Sequence, residues 1–258
     1  MDYQTIRCER DGDIAIIVLD RPDVMNALGV QMRAELLHAV REAASSARVL
    51  VLTGAGRAFC SGQDLGDHAT IAATDLERIL RDEYEPMLRA IFDCEIPTIA
   101  AVNGAAAGAG ANLALACDVV IAAESAVFLQ AFARIGLIPD AGGTYWLPRQ
   151  VGFAKAMGAA LFGEPVSARQ ASEWGMIWEA VSDEDFDRHW HQRARQLAAG
   201  PTLTYAGIKK ALRETWENDI DSQLALEAQL QGACGRTRDF KEGVLAFIEK
   251  RPARYEGR

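Results

Sequence analysis

The chain has 258 residues, 50% of them hydrophobic and 24% charged, which is the composition of a globular protein with a substantial core. Its formal net charge of −9 argues against a nucleic-acid surface, because no lysine and arginine cluster is long enough to override it. No basic region followed by an apolar run occurs at the N-terminus, so we expect no signal peptide and a cytoplasmic location.

The first half of the chain alternates strand and helix patterns. Two apolar runs flank Asp11-Gly12, which predicts a β-hairpin. Pro86 should kink or break the helical pattern around it. Together these patterns predict an α/β protein of repeated strand–strand–helix units. The predicted strands are 6–9, 14–19, 49–53, 97–102, 119–121 and 127–129, and the longer helices are 32–44 and 76–92.

After about Gly152 the apolar spacing is helical almost throughout. Gly200-Pro201 marks a break within this region. We therefore divide the chain into a core at 1–198 and a helical C-terminal region at 199–258. The predicted helices are 153–161, 167–174, 184–197, 203–216, 223–234 and 239–250.

Five cysteines, an odd number without a CxxC pair, indicate scattered reduced thiols rather than a disulfide framework. Cys60 lies beside a glycine turn, but His68 is the one histidine near it in sequence, so a small buried filler is favoured over a nucleophile. His189 and His191 have no metal-ligand spacing and are typical of a solvated helix face. We expect no metal site.

Three segments contain the candidate functional residues. Residues 54–65 and 103–113 each follow a short apolar strand and are rich in small residues, which leave backbone N–H groups uncovered. Close packing between backbone elements would need the same small residues. Residues 137–144 place one carboxylate, Asp140, in an apolar, glycine-rich turn, where it is either an ordinary turn residue or a group held against a ligand.

The residues present argue against two other interpretations, a dinucleotide-binding motif and a membrane span. Gly54 and Gly108 begin Gly-x-Gly patterns, but Phe59 and Leu113 stand where a dinucleotide fingerprint needs its third glycine. Residues 99–123 are rich in alanine and glycine but are interrupted by polar side chains, so a membrane span is not expected.

The three segments, in this order and at these separations, resemble the crotonase (enoyl-CoA hydratase/isomerase) superfamily. The resemblance runs from 20–22 to 240–243, nearly the whole chain. Within the superfamily, segments 108–111, 136–140 and 173–178 are most similar to the ring 1,2-epoxyphenylacetyl-CoA isomerases. The resemblance implies a crotonase-type spiral of ββα units, with C-terminal helices that pack on neighbouring subunits in a homotrimer or dimer of trimers.

The same resemblance implies where an acyl-CoA thioester binds. The backbone N–H groups of Ser61 and Ala109 would form an oxyanion hole for the thioester enolate. Coenzyme A enters as part of the substrate, and no separate cofactor is implied. The remaining substrate-contacting positions implied by the family are Val24, Met25, Ala58, Gly62, Gln63, Asp64, Leu65, Gly108, Asn112 and Phe132.

Two departures from the family pattern bear on the reaction. Enoyl-CoA hydratases use two glutamates, and those positions here are Asn112 and Phe132, neither of which can accept a proton. Asp140 remains as the single carboxylate beside the implied oxyanion hole, which suffices to move a proton between two carbons. The expected activity is therefore isomerisation of ring 1,2-epoxyphenylacetyl-CoA to the oxepin thioester, with Δ3/Δ2-enoyl-CoA isomerisation as a second activity. Asp140→Asn should strongly lower turnover, and Asn112→Ala should lower it far less.

Alternatives stay open at this point. The 4-chlorobenzoyl-CoA dehalogenases have a nucleophilic aspartate at the position of Asp140, but a tryptophan where this chain has Phe132. A hydratase-like protein with weak or no hydration is a second alternative, and a non-catalytic scaffold subunit is a third.

Overall fold

The structure, a computed structural model, describes residues 2–67 and 75–258. The strands are β1 (Ile6–Asp11), β2 (Ile14–Leu19), β3 (Val49–Gly54), β4 (Ala58–Cys60), β5 (Thr98–Val102), β6 (Ala105–Ala107), β7 (Val119–Ala123), β8 (Val127–Leu129), β9 (Val166–Ser167) and β10 (Glu179–Val181). The helices are α1 (Val30–Ser46), α2 (Leu76–Ile79), α3 (Glu85–Phe92), α4 (Ala109–Leu115), α5 (Gly143–Val151), α6 (Phe153–Phe162), α7 (Ala168–Glu173), α8 (Phe186–Ala198), α9 (Thr202–Glu214), α10 (Ile220–Cys234) and α11 (Arg238–Glu249).

Within the described residues the strands form two sheets. The larger has the order β1-β2-β3-β5-β7-β10, with the antiparallel hairpin β1–β2 at one edge and parallel pairing from β2 onward. The smaller has the order β4-β6-β8-β9. Each strand of the first sheet from β3 to β7 therefore passes its chain to a short strand of the second, which gives the spiral of strand–strand–helix units. The predicted hairpin is confirmed.

The central strands of the larger sheet are buried on both faces, as expected for parallel strands covered by helices. On one face, α8 packs Phe186, Trp190 and Ala194 against the sheet. On the other face, α1, α3, α4 and the smaller sheet enclose the main core. The two glycine-rich segments, 54–65 and 103–113, lead from the larger sheet into the smaller sheet on this second face.

Those two segments lie side by side because β4 and β6 pair in parallel, with Ala58 opposite Ala105. The close approach requires glycine: a Cβ on Gly104 would lie 2.2 Å from the carbonyl oxygen of Arg57, and one on Gly110 would lie 2.3 Å from that of Cys60. The small residues at these positions therefore serve close packing between backbone elements.

Two features of the helical region differ from the sequence predictions. The helical region begins at Gly143, because α5 precedes Gly152, and two short strands, β9 and β10, lie within the part predicted to be helical. Strands of two or three residues are too short to produce a periodic pattern. The interruption predicted around Pro86 is present: a π-helical turn, Leu80–Tyr84, separates α2 from α3, and Pro86 lies in the first turn of α3.

The C-terminal helices α9 and α10 contain no fully buried residue. They are tied to the core by Lys209, whose Nζ lies 2.6 Å from Oδ2 of Asp118 and donates to the carbonyl of Ile96 at 2.7 Å. The division at residue 199 stays a prediction. In the described part of the chain, no helix is long and apolar enough to cross a bilayer.

Candidate active site

The turn that carries Asp140 is held by main-chain hydrogen bonds. The N–H of Gly143, the first residue of α5, donates to the carbonyl of Asp140 at 2.8 Å. Gly142 has a φ of +81°, and a Cβ there would lie 2.4 Å from Nε1 of Trp146, so this position accepts only glycine. The indole N–H of Trp146 in turn donates to the carbonyl of Ala141 at 3.3 Å. The turn therefore presents Asp140 from a fixed backbone.

The Asp140 carboxyl is half-buried, and one of its two oxygens has no partner in the described chain. Its Oδ1 is fully enclosed and makes no hydrogen bond within the described residues. Burial raises the pKa of this carboxyl from its ordinary 3.8 to about 6, because the charged form loses hydration. A carboxylate with a raised pKa and an unused oxygen is suited to accept and return a proton near neutral pH.

Asn112 does not face the reaction site as a base would. It is fully buried, and its Nδ2 donates to the main-chain carbonyl of Asp140 at 2.7 Å. Its Oδ1 accepts from Nε2 of Gln130 at 2.8 Å. The amide therefore links α4 to the Asp140 turn. Sequence reasoning missed Gln130, because a single glutamine after a short strand carries no motif.

Phe132, at the second hydratase glutamate position, is buried against the second glycine segment. Its ring would be 3.7 Å from a Cβ placed on Gly108, whose φ is +52°. The structure thus brings Gly108 and Phe132 together. The contact is apolar and supplies no proton acceptor.

Ala109 is the first residue of α4, so its N–H has no acceptor within the helix. Within the described ranges no other group accepts from it. A Cβ on Gly62 would lie 2.8 Å from the carbonyl oxygen of Ala107 and 3.4 Å from the nitrogen of Ala109. The exits of β4 and β6 therefore meet at this amide.

The expectation for Ser61 disagrees with the structure. Its N–H donates to the carbonyl of Met25 at 2.9 Å, and its Oγ donates to the carbonyl of Val24 at 3.2 Å. An amide already bonded in this way cannot also bind an enolate oxygen. The direction of the N–H, which the sequence does not record, is the reason for the error.

At Gln63, two residues beyond Ser61, the backbone N–H points in a different direction. Leu28 and Gln63 form a parallel bridge in which the N–H of Leu28 donates to Gly62 at 2.8 Å and Leu28 accepts from Asp64 at 3.3 Å. In such a bridge the N–H of the middle residue, Gln63, points away from Leu28. That direction makes it the better candidate for a second donor than Ser61.

The implied coenzyme A positions separate into two groups. Val24, Met25 and Leu65 are exposed, with Leu65 64% accessible. Ala58 is buried in β4, and its carbonyl accepts from Nδ2 of Asn26 at 2.8 Å, so it offers no surface to a ligand. That assignment is corrected. The burial follows from the pairing of β4 in the second sheet.

Asp64 makes two polar contacts beside the implied coenzyme A positions. Its Oδ2 lies 2.6 Å from Nη1 of Arg21, and its Oδ1 accepts from the N–H of Gly66 at 3.0 Å. Asn26, which sequence reasoning missed, is fully buried and donates to the carbonyls of Ala55 and Ala58 while accepting from the N–H of Arg21. These contacts join the turn after β2 to the chain on both sides of β4.

A cavity of about 1110 Å³ lies between the helix at 76–92, the Asp140 turn and the C-terminal helices. Asp140 lines it together with Tyr84, Leu88 and Trp146. Tyr84 was not singled out from sequence, since one tyrosine in an amphipathic helix is typical of core packing.

Cys60 is fully buried, and burial raises the pKa of its thiol to about 12, so it is not a thiolate at neutral pH. His68 lies outside the described residues. Among the residues described, no three histidine, cysteine or acidic side chains are grouped as a metal site would need.

The two-sheet spiral and the paired glycine segments define the protein class, and comparison with known proteins agrees. A sequence model of the enoyl-CoA hydratase/isomerase family matches residues 9–258. The chain therefore belongs to the enoyl-CoA hydratase/isomerase (crotonase) family.

Individual relatives are similar over nearly their whole length. A probable enoyl-CoA hydratase of Rhodobacter capsulatus is 60% identical over 258 residues, covering 100% of both chains. The 1,2-epoxyphenylacetyl-CoA isomerase of Escherichia coli is 46% identical over 250 residues, covering 95% of each. A crystal structure of an enoyl-CoA hydratase subunit I from Geobacillus kaustophilus superimposes with a TM-score of 0.93 at 34% identity, covering 100% of both chains.

Proposed function

We propose that this protein is an acyl-CoA isomerase that converts ring 1,2-epoxyphenylacetyl-CoA to the oxepin thioester and interconverts Δ3- and Δ2-enoyl-CoA. The observation that carries the proposal is Asp140: a half-buried carboxyl with a raised pKa and an oxygen without a partner in the described chain. The 46% identical isomerase of Escherichia coli supports the same substrate class.

In the proposed reaction, ionised Asp140 takes a proton from the carbon α to the thioester. The C–H electron pair moves into the α-carbon–carbonyl bond, and the carbonyl electrons move to the thioester oxygen, which forms an enolate. The amides of Ala109 and Gln63 stabilise that oxygen as its charge develops. The neighbouring double bond shifts by one position, Asp140 returns the proton two carbons away, and the carbonyl re-forms, so that no atom is gained or lost in the Δ3-to-Δ2 step. For the epoxide, the ring C–C bond bridged by the oxygen breaks first, in an electrocyclic opening to the seven-membered oxepin, and the same proton transfer then follows.

Hydration is the second candidate, because the 60% identical relative is named a probable enoyl-CoA hydratase. Adding water needs a group that activates the water and a group that protonates carbon. Asn112 is committed to the Asp140 carbonyl and to Gln130, and Phe132 is apolar. These contacts favour isomerisation.

The remaining parts of the proposal follow from the family. The protein would need no separate cofactor, since coenzyme A arrives with the acyl group. It would act in the cytoplasm as a homotrimer or a dimer of trimers. Exposed apolar side chains on α6 and α11, among them Phe162 and Phe247, are consistent with burial between subunits.

Product analysis by mass spectrometry tests the proposal. The enzyme should convert both the epoxide and the Δ3-enoyl thioester at constant mass. Addition of one water to a Δ2-enoyl-CoA at a comparable rate would favour a hydratase. Chloride release from 4-chlorobenzoyl-CoA would favour a dehalogenase. No turnover of any thioester would leave the scaffold subunit as the explanation.

A further inference from the structure

Tyr84 carries a hydroxyl group that the folded chain leaves unused. The residue is 1% exposed, and its hydroxyl oxygen is fully enclosed. No hydrogen-bond partner for this oxygen exists among the residues described. A buried hydroxyl without a partner costs about 1–3 kcal/mol, so a phenylalanine would suit the packing better. Such a group calls for an explanation outside the folded chain.

The residue that carries this hydroxyl lines the same cavity as Asp140. Tyr84 and Asp140 both line the cavity, and Oδ1 of Asp140 is likewise enclosed without a partner. The two groups do not bond to each other, since each would then be satisfied. A ligand in the cavity that bonds to either atom would remove the cost of leaving that atom unpaired.

The nearest cation is directed mainly to other groups. The Arg33 guanidinium lies 4.8 Å from the centre of the Tyr84 ring, and three of its five N–H groups donate to Oε2 of Glu83, at 2.6 Å and 3.0 Å, and to the carbonyl of Leu28. Its interaction with the hydroxyl lowers the Tyr84 pKa but does not have the geometry of a hydrogen bond. Burial raises the pKa of Tyr84, the neighbouring Arg33 opposes the rise, and Asp140 adds to it. The hydroxyl therefore stays protonated at physiological pH and can donate.

The backbone at this position is unusual. Tyr84 ends the π-helical turn Leu80–Tyr84, in which the N–H of Glu85 donates to the carbonyl of Leu80, five residues earlier. Such a turn inserts one residue into the helix and rotates the rest of the helix by about 100°. Short π-turns of this kind occur frequently at functional sites.

We propose that the Tyr84 hydroxyl donates a hydrogen bond to an oxygen atom carried by the acyl group of the substrate, an epoxide or ring-ether oxygen. Tyr84 is then a specificity-determining residue that selects oxygenated acyl thioesters over plain enoyl thioesters. A plain acyl group would leave the hydroxyl unpaired, and a site built to bond an oxygen rejects the analogue that lacks it. The inference rests on the isomerase function proposed above, and it assigns the recognition of the acyl oxygen to one residue.

Kinetics of Tyr84→Phe on two substrates tests the inference, because both use the Asp140 proton transfer. For ring 1,2-epoxyphenylacetyl-CoA, kcat/KM should fall about 10- to 100-fold, the equivalent of one neutral hydrogen bond to a buried group. For an unsubstituted Δ3-enoyl-CoA it should change less than about 3-fold. An equal fall on both substrates would place the hydroxyl on the shared thioester, and an unchanged epoxide rate would remove it from the site. Either result overturns the inference.

Tyr3→Phe is the matched control. It also removes one tyrosine hydroxyl, but that hydroxyl is bonded to Nδ1 of His38 at 2.8 Å, outside the cavity. Its kinetics should match the wild type on both substrates. The melting temperatures should move differently: Tyr84→Phe should equal or exceed the wild type, whereas Tyr3→Phe should fall or stay level. A clear loss of stability in Tyr84→Phe would mean that the hydroxyl has a structural partner, against the inference.

A binding measurement separates this inference from the proposed isomerase activity. In the Asp140→Asn background, calorimetry compares 2-hydroxyphenylacetyl-CoA with phenylacetyl-CoA, which differ by one ring oxygen. The hydroxylated thioester should bind about 10-fold more tightly, and adding Tyr84→Phe should abolish the difference. If the wild type turns over neither substrate, the proposed function fails, but this binding difference still decides the role of Tyr84. Equal binding of the two thioesters would contradict it.

Discussion

The side-chain amide of Asn112 donates a 2.7 Å hydrogen bond to the main-chain carbonyl of Asp140. A residue at a glutamate position of the hydratases thus holds the backbone of the only carboxylate proposed to act. Because the bond engages the main chain, the Asp140 carboxyl stays available. Gln130 completes the arrangement by donating to Oδ1 of Asn112. Asn112 is best understood as a positioning residue.

Asp140→Asn should lower kcat by about two to four orders of magnitude on both isomerisation substrates, because it removes the base while keeping size and hydrogen bonding. KM should change little, since the amides and the cavity remain. Steady-state kinetics gives both values. The control is Asp82→Asn, an exposed carboxylate in the same π-helical turn as Tyr84, which should match the wild type. A residual rate above one tenth of the wild type would mean that another base acts.

The rate should depend on the ionisation of Asp140. The base must be ionised to start the reaction, and burial raises its pKa to about 6. A plot of kcat/KM against pH should therefore rise through about pH 6 and level off above it. A rise of kcat/KM centred near pH 4 would show instead that the Asp140 carboxyl has the pKa of an ordinary hydrated aspartate.

The same shift affects stability with a definite sign. Asp140 has a pKa of about 6 in the folded protein and 3.8 when fully hydrated. The folded state therefore keeps a proton that the unfolded state has lost, and stability falls as pH rises from about 4 to 6. Asp140→Asn removes this cost and should be more stable than the wild type at pH 8, by at most about 3 kcal/mol, with no gain at pH 4. Urea unfolding at the two pH values measures the difference.

Asn112→Ala should destabilise the folded protein. It deletes two hydrogen bonds in a fully buried site and leaves Nε2 of Gln130 without its acceptor, whereas the Asp140 carbonyl keeps the hydrogen bond from Gly143, so the cost should be about 1–3 kcal/mol. The fall in kcat should still be smaller than for Asp140→Asn, because the carboxyl remains. Thermal unfolding and kinetics together check this. Equal kinetic damage from the two substitutions would contradict the one-base mechanism.

Ala109→Pro tests the proposed amide donor. Proline is accepted at the first position of a helix, so the change removes the N–H with little harm to α4. We expect kcat to fall about 10²- to 10³-fold, the usual effect of losing one oxyanion donor. Circular dichroism should confirm the fold. Ser61→Ala is the control, because it keeps the Ser61 amide on Met25 and should leave kcat within about 2-fold.

The exposed apolar side chains predict an oligomer. Phe247 is 85% exposed on α11, and light scattering should give three or six times the 28.0 kDa chain mass. Phe247→Asp should shift the mass toward that of the single chain, whereas Glu249→Lys should not. A wild-type mass of 28.0 kDa would exclude the trimer.

The sequence by itself determined the family, the hairpin and the isolation of Asp140 as the one candidate carboxylate. These features depend on residue identity: a carboxylate at 140, and an amide and a phenyl ring where the hydratases have glutamates. They also depend on strong local signals such as Asp11-Gly12 and long apolar runs.

The tertiary structure alone decided which atoms are available. The Ser61 N–H is already bonded to the Met25 carbonyl, and Ala58 is buried by strand pairing. Asn112 donates a hydrogen bond to Asp140, which lies 28 residues away in sequence. The Tyr84 hydroxyl, at the end of a π-turn, is left without a partner among the described residues. The physical reason is that burial and the direction of a hydrogen bond depend on neighbours distant in sequence, and no local pattern records them.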